Sequence, residues 1–154
     1  MSTRPLKPIA VIAHDQKKTT LCQWMVDNQD SLRGRDIFAT GTTGQLIQKH
    51  LPDFSITRLK SGPLGGDQQI GALIAEGQLD AVFFFQDPMT AQPHDVDIKA
   101  LVRLATLYDV PLACNPSTAN YIVSSPYFNG EKPAPVTDAV VEHYQDYLNR
   151  VIEG

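Results

Sequence analysis

Five short apolar runs punctuate the chain: "IAVIA" at 9–13, "DIFAT" at 36–40, "SITRL" at 55–59, "DAVFFF" at 80–85 and "VPLAC" at 110–114. Such runs, bounded by turn formers, read as strands. Those without polar alternation, such as "AVFFF", predict strands covered on both faces. Between them the period changes. Leu21, Trp24, Met25 and Leu32 keep roughly helical spacing, as do Ile70, Leu73 and Ile74, and again Ile98, Leu101, Ala105 and Tyr108. Strand alternating with helix predicts a doubly wound α/β domain with a parallel sheet between helices. Beyond residue 128, the turn "NGEKPAP" leads into a helical pattern of Val141, Tyr144, Leu148, Val151 and Ile152, expected to pack on the domain or on a neighbouring subunit. Residues 1–154 are expected to form a single domain.

Right-handed crossovers put every strand-to-helix loop at one edge of such a sheet, outside the carboxyl ends where open α/β sheets bind ligands. The loops predicted there are "HDQKK", "TGTTG", "SGPLGGD", "QDPMTAQPHDVD" and "NPSTAN", and they hold most of the polar and glycine-rich material. They define one candidate crevice.

Charge narrows what that crevice holds. Thirteen Lys and Arg against seventeen Asp and Glu give a net charge of -4, with the basic residues scattered, which argues against nucleic-acid binding. An anionic ligand would need local donors and a few placed cations, because the overall field opposes it weakly. Cys22 and Cys114 are far apart and belong to no CxxC or His-rich pair, so neither a disulfide framework nor a zinc site is read. Both are expected to be buried structural thiols, which fits a reducing cytosol. The apolar run before His14 and Asp15 is too short for a signal peptide, and no later segment is long enough to span a bilayer. No membrane partner is expected.

Thr40, Gly41, Thr42, Thr43 and Gly44 read either as a helix cap with a tight turn or as a phosphate cradle of amides and hydroxyls. The stretch lacks the GK[ST] of a nucleotide P-loop and is not a GxGxxG fingerprint. Ser61 and Gly62 could add a hydroxyl and an amide. His14 and Lys18, four apart, could both project from a first helical turn, with Lys18 offering a point charge to a phosphate. Asp67 directly follows the glycine-rich "SGPLGG". It reads as a helix cap or, beside a bound phosphoester, as a base positioned to take a proton from carbon. In "PHDVD", Asp97 either caps the next helix or orients the ring of His94, which would then donate to a developing enolate oxygen. Asp87, in "FFQDP", is either an Asp-Pro turn or a participant in proton transfer. The carboxylates show no ligand-spaced cluster, and no metal is expected.

In order along residues 9–128, "AHDQKK", "ATGTTG", "SGPLGGDQQIGALIAEG", "FFFQDP", "HDVDIKALVRLA" and "PLACNPSTANYIVSSPYF" closely resemble the methylglyoxal synthases. The combination of "GPLGGDQQ" with "PHDVD" carries more than any single glycine motif. The resemblance implies a three-layer α/β/α fold with five parallel strands in the order 3-2-1-4-5. It also implies a cytoplasmic homohexamer and conversion of dihydroxyacetone phosphate to methylglyoxal and inorganic phosphate without a cofactor. Inorganic phosphate would be product and inhibitor. By position, Asp67 matches the catalytic base, His14, Lys18, Thr40, Gly41, Thr42, Thr43, Ser61, Gly62 and His94 the substrate-binding set, and Asp87 and Asp97 acids with catalytic or supporting roles. Arg150 becomes a candidate to reach a neighbouring subunit's phosphate site. Two other readings stay open: a non-catalytic anion- or nucleotide-binding regulatory module of the same fold, and a sugar-phosphate isomerase that retains its phosphate.

Overall fold

The five apolar runs form five parallel strands: β1 (Ile9–Ala13), β2 (Asp36–Thr40), β3 (Ser55–Leu59), β4 (Ala81–Phe85) and β5 (Leu112–Ala113). This is a computed structural model, and it describes residues 3–132 and 145–152. The sheet order is β3-β2-β1-β4-β5, as the resemblance implies. Helices α1 (Lys18–Asp27), α2 (Gln29–Leu32), α3 (Gly41–His50), α4 (Gly66–Ala75), α5 (Asp95–Leu107) and α6 (Pro116–Ser124) fill the connections.

Side chains alternate across the strands, so β4 sends Phe83 and Phe85 to one face and Phe84 to the other. Phe83 and Phe85 join a core with Leu21, Trp24 and Met25 of α1, Ile47 of α3 and Val123 of α6. Phe84 joins Ile70 and Ile74 of α4 and Ile98 and Leu101 of α5. Burying each such side chain stabilises the fold by about 1.5–3 kcal/mol. Both faces are therefore covered, which is why the central strands are apolar throughout.

Four details depart from expectation. β5 spans only two of the five residues predicted, because it is an edge strand paired with β4 alone, through Val82 with Leu112 and Phe83 with Ala113. Cys114, just beyond it, is exposed, whereas Cys22 is buried as expected. The apolar spacing from Leu21 to Leu32 is split between two helices, because Asn28 leaves helical backbone at φ -111 and its side-chain Nδ2 donates to the Trp24 carbonyl at 2.8 Å, closing α1. In the tail, residues 145–152 are helical, with Val151 and Ile152 exposed rather than packed on the domain. Val141 and Tyr144 lie outside the described residues.

Candidate active site

β1 and β4 are neighbours where the chain reverses its direction of sheet growth, and the loops that leave them diverge there. A cavity of about 100 Å³ opens at this point, lined by His14, Lys18, Thr40, Gly41, Thr42, Thr43, Ser61, Gly62 and His94. Four loops thus bring the whole predicted substrate-binding set to one place.

The cradle is the start of α3. Thr40 is the N-cap, and its side chain makes no capping bond, so the first amides of the helix keep their hydrogen-bonding capacity. Gly41 adopts φ +41, and a Cβ there would meet Ser61 Cβ at 2.8 Å. Glycine thus lets the β2 and β3 loops touch. The Lys18 ammonium lies 2.5 Å from Thr42 Oγ1 and 2.7 Å from Asp15 Oδ1, which holds it at the rim of the cradle. That lysine holds the Asp15 carboxyl below the usual carboxylate range.

Asp67 is not a cap. It sits in the first turn of α4, whose N-cap is Gly65, and its carboxylate makes no capping bond. The register follows from Gly66, where a Cβ would fall 2.0 Å from the Lys60 carbonyl oxygen. Only glycine fits there, and the helix starts two residues earlier than a capping aspartate would set it. Asp67 is 2% exposed, and neither carboxylate oxygen has a hydrogen-bond partner. The nearest donor, His94 Nε2, is 3.5 Å from Oδ2, longer than a charge-assisted bond. Burial pushes the Asp67 carboxyl up; His94 opposes this and the Asp97 charge adds to it. The result is a desolvated carboxylate with free lone pairs, which is what proton abstraction requires.

His94 is the N-cap residue of α5, and its ring lies over Gly62, where a Cβ would meet Nε2 at 2.7 Å. Of the two readings of Asp97, neither is made: the cap position belongs to His94 itself, and no bond runs from Asp97 to the ring, whose Nδ1 is buried without a partner. Asp97 instead donates its amide to the His94 carbonyl at 3.0 Å and lines a groove of about 300 Å³ between α4 and α5, together with Asp67. It acts on Asp67 through charge.

His14 is buried and stands edge-on to His94, with ring centroids 6.2 Å apart. Burial and its neighbour His94 lower its pKa below the ordinary imidazole value, which favours the neutral ring. Its Nδ1 accepts the Asp87 amide at 2.8 Å, while Nε2 is buried without a partner. Asp87 lies outside the cavity lining, and its Oδ1 accepts the Met89 amide at 3.0 Å. The Thr90 side chain and that amide hold the Asp87 carboxyl low. Asp15 and Gln92 line the cavity and were not singled out from sequence. Asp15 stood inside the quoted "HDQKK", and a carboxylate i−3 to Lys18 was its signal; Gln92, in the longest loop, offered none. Among the described residues no three His, Cys, Asp or Glu side chains converge as a metal site would need, and no helix is long and apolar enough to cross a membrane.

A family model for the MGS-like domain matches residues 23–114. The chain is 50% identical over 143 residues to a methylglyoxal synthase of Oleidesulfovibrio alaskensis, covering 93% of this chain and 94% of that one. It is 54% identical over 128 residues to one of Leptospira interrogans, covering 83% and 86%. The crystal structure of methylglyoxal synthase from Elizabethkingia anophelis NUHP1 matches with a TM-score of 0.75 at 46% identity, covering 87% of this chain and 92% of that chain.

Proposed function

The chain belongs to the methylglyoxal synthase family, and from that membership we propose that it converts dihydroxyacetone phosphate to methylglyoxal and inorganic phosphate in the cavity above β1 and β4. It is a lyase acting on a small phosphorylated molecule. The observation that carries the reading is Asp67, a buried carboxylate with both oxygens unpartnered that lies just behind Gly62 of the cavity wall, where a Cβ would come 3.4 Å from its Oδ1.

The substrate phosphate lies on the α3 amides and the hydroxyls of Thr42 and Thr43, with Lys18 at the rim. Asp67 takes a proton from the hydroxymethyl carbon, and the electron pair of that C–H bond forms the ene-diolate. His94 and His14 Nε2–H donate to the oxygens where charge develops. In the elimination the hydroxyl on the former hydroxymethyl carbon gives its proton to the departing phosphate and becomes the aldehyde carbonyl, the carbon-carbon double bond shifts one bond toward the phosphate-bearing carbon, and the bridging C–O bond breaks with its electron pair leaving on phosphate. The remaining enol takes a proton on carbon to give methylglyoxal. Elimination is favoured when the cradle holds the bridging C–O bond perpendicular to the ene-diolate plane; an isomerase must hold it near the plane.

Self-association, a homohexamer in this reading, is supported by large apolar side chains left exposed at Leu64, Met89, Val96 and Tyr121. Feedback by inorganic phosphate at the same cradle, with Arg150 contributed by a neighbouring subunit, belongs to the same reading, as does a place in the cytoplasm. The test is to incubate the protein with dihydroxyacetone phosphate and quantify methylglyoxal and inorganic phosphate together. Equimolar products are expected. Isomerised product with phosphate retained, or phosphate binding without turnover, would replace the reading with an isomerase or a binding module.

A further inference from the structure

We infer that Asp87 is a positioning residue whose turn aims its own backbone amide at His14 Nδ1, fixing the tautomer that presents Nε2–H to the cavity.

Four observations converge. His14 follows β1 and Asp87 follows β4, and the two strands are paired through Ala13 and Phe85. The His14 amide donates to the Phe85 carbonyl at 3.2 Å, so this pairing runs one residue past the strand end. The Asp87 amide then donates to His14 Nδ1 at 2.8 Å, a bond buried from water. An N–H can be accepted only by the ring nitrogen that carries no proton, so the proton of the neutral imidazole sits on Nε2. That atom is buried without a partner, and the His14 ring lines the cavity. A buried donor left open at a substrate cavity is poised for a substrate oxygen.

What aims the amide is the turn that follows. Pro88 confines Asp87 to extended backbone. The carboxylate folds back onto the turn, with Oδ1 accepting the Met89 amide at 3.0 Å. Asp87 therefore has its carboxylate committed to its own loop and its amide committed to His14. A group acting in proton transfer would need that carboxylate free, whereas this one is taken up by the Met89 amide of its own turn. The role of the His14 donor rests on the reading of the cavity as the reaction site; the tautomer does not, and the two can be tested apart.

The experiment is long-range ¹H–¹⁵N correlation NMR of the His14 ring at pH 7, in the unaltered protein and in Asp87→Asn and Asp87→Ala, with turnover of dihydroxyacetone phosphate measured alongside. The unaltered protein is expected to show His14 with Nε2 protonated and Nδ1 bare. Asp87→Asn, whose Oδ1 still accepts from Met89, should keep that signature. Asp87→Ala should show a mixture with the Nδ1–H form and a kcat lower than that of the Asn variant by about tenfold or more, the scale of one lost hydrogen bond. An Asn variant that loses the tautomer as Ala does would point to the charge of Asp87 and overturn the inference, as would an Ala variant that keeps both tautomer and turnover. If the Ala variant fails to fold, the unaltered protein still decides: Nδ1–H as its dominant form contradicts the inference. No turnover in any variant, with the tautomer pattern intact, would count against the proposed reaction while leaving the positioning role standing.

Discussion

The two ends of the sheet both bury charge, and they treat it in opposite ways. At the amino ends of the strands Asp80 stands just before β4 and Arg35 just before β2. Asp80 accepts from Arg35 at 2.6 Å, from Arg4 at 2.8 Å and from the Lys7 amide at 2.9 Å. Arg35 also donates to the Lys7 and Phe128 carbonyls and stacks on the Phe128 ring 4.1 Å from its centroid. Burial pushes the Asp80 carboxyl up, but these donors together hold it below the usual range. At the carboxyl ends Asp67, His14 and His94 are as deeply placed, yet each has a polar side-chain atom without a partner. Paired buried charge fastens the N-terminal segment and the 127–130 turn to the sheet. Buried polar atoms left unpaired are stability withheld from the fold and kept available for a ligand.

The comparison is sharpest at Asp67. Asp67→Asn should lower turnover by roughly 10²–10⁴-fold, the range of one general base, with inorganic phosphate still bound by the cradle. Steady-state kinetics together with phosphate titration check it. Asp80→Ala should do the converse, because it leaves Arg35 and Arg4 without their carboxylate. We expect a loss of about 3–5 kcal/mol in urea unfolding, with kcat of the folded fraction little changed. If that variant lost turnover without losing stability, the division between the two ends would fail.

Gly62→Ala places a methyl carbon where His94 Nε2 now lies. Displacement of the ring by even an ångström predicts a fall in kcat on the order of 10²-fold, read in single-turnover assays. Thr43→Ala removes one buried hydroxyl from the cradle and should weaken substrate and inorganic phosphate alike by about tenfold. A fall in kcat with phosphate affinity unchanged would move Thr43 out of the cradle.

Much of this was legible in the sequence because it rests on type and period. Apolar runs fixed where four of the strands lie, and the edges of those runs put His14, Thr40, Ser61 and Asp87 at the ligand-binding side. What stayed hidden depends on distances that spacing does not encode. The "GG" before Asp67 announced a turn, but the approach of Gly66 to the Lys60 carbonyl, which moves Asp67 off the cap position, is a tertiary fact. The sequence left Asp97 as either a cap or a partner of the His94 ring, and the first turn of α5 instead joins the two residues through backbone atoms. Cys114 looked buried because it ends an apolar run, and it is exposed because the edge strand stops one residue earlier.

The most direct test is the conformational stability of Asp67→Asn across pH. Burial raises the Asp67 carboxyl above its ordinary value. Such a group contributes most to stability below its unfolded pKa, near 3.9, and loses that contribution as pH rises through its folded value. At pH 7 the charged carboxylate therefore opposes folding. Urea titrations should find Asp67→Asn more stable than the unaltered protein at pH 7, on the order of 1 kcal/mol, with the advantage shrinking as pH falls through the folded pKa. A variant that is less stable at pH 7, or whose difference does not change with pH, would mean that the Asp67 carboxylate is paired after all and holds the structure together.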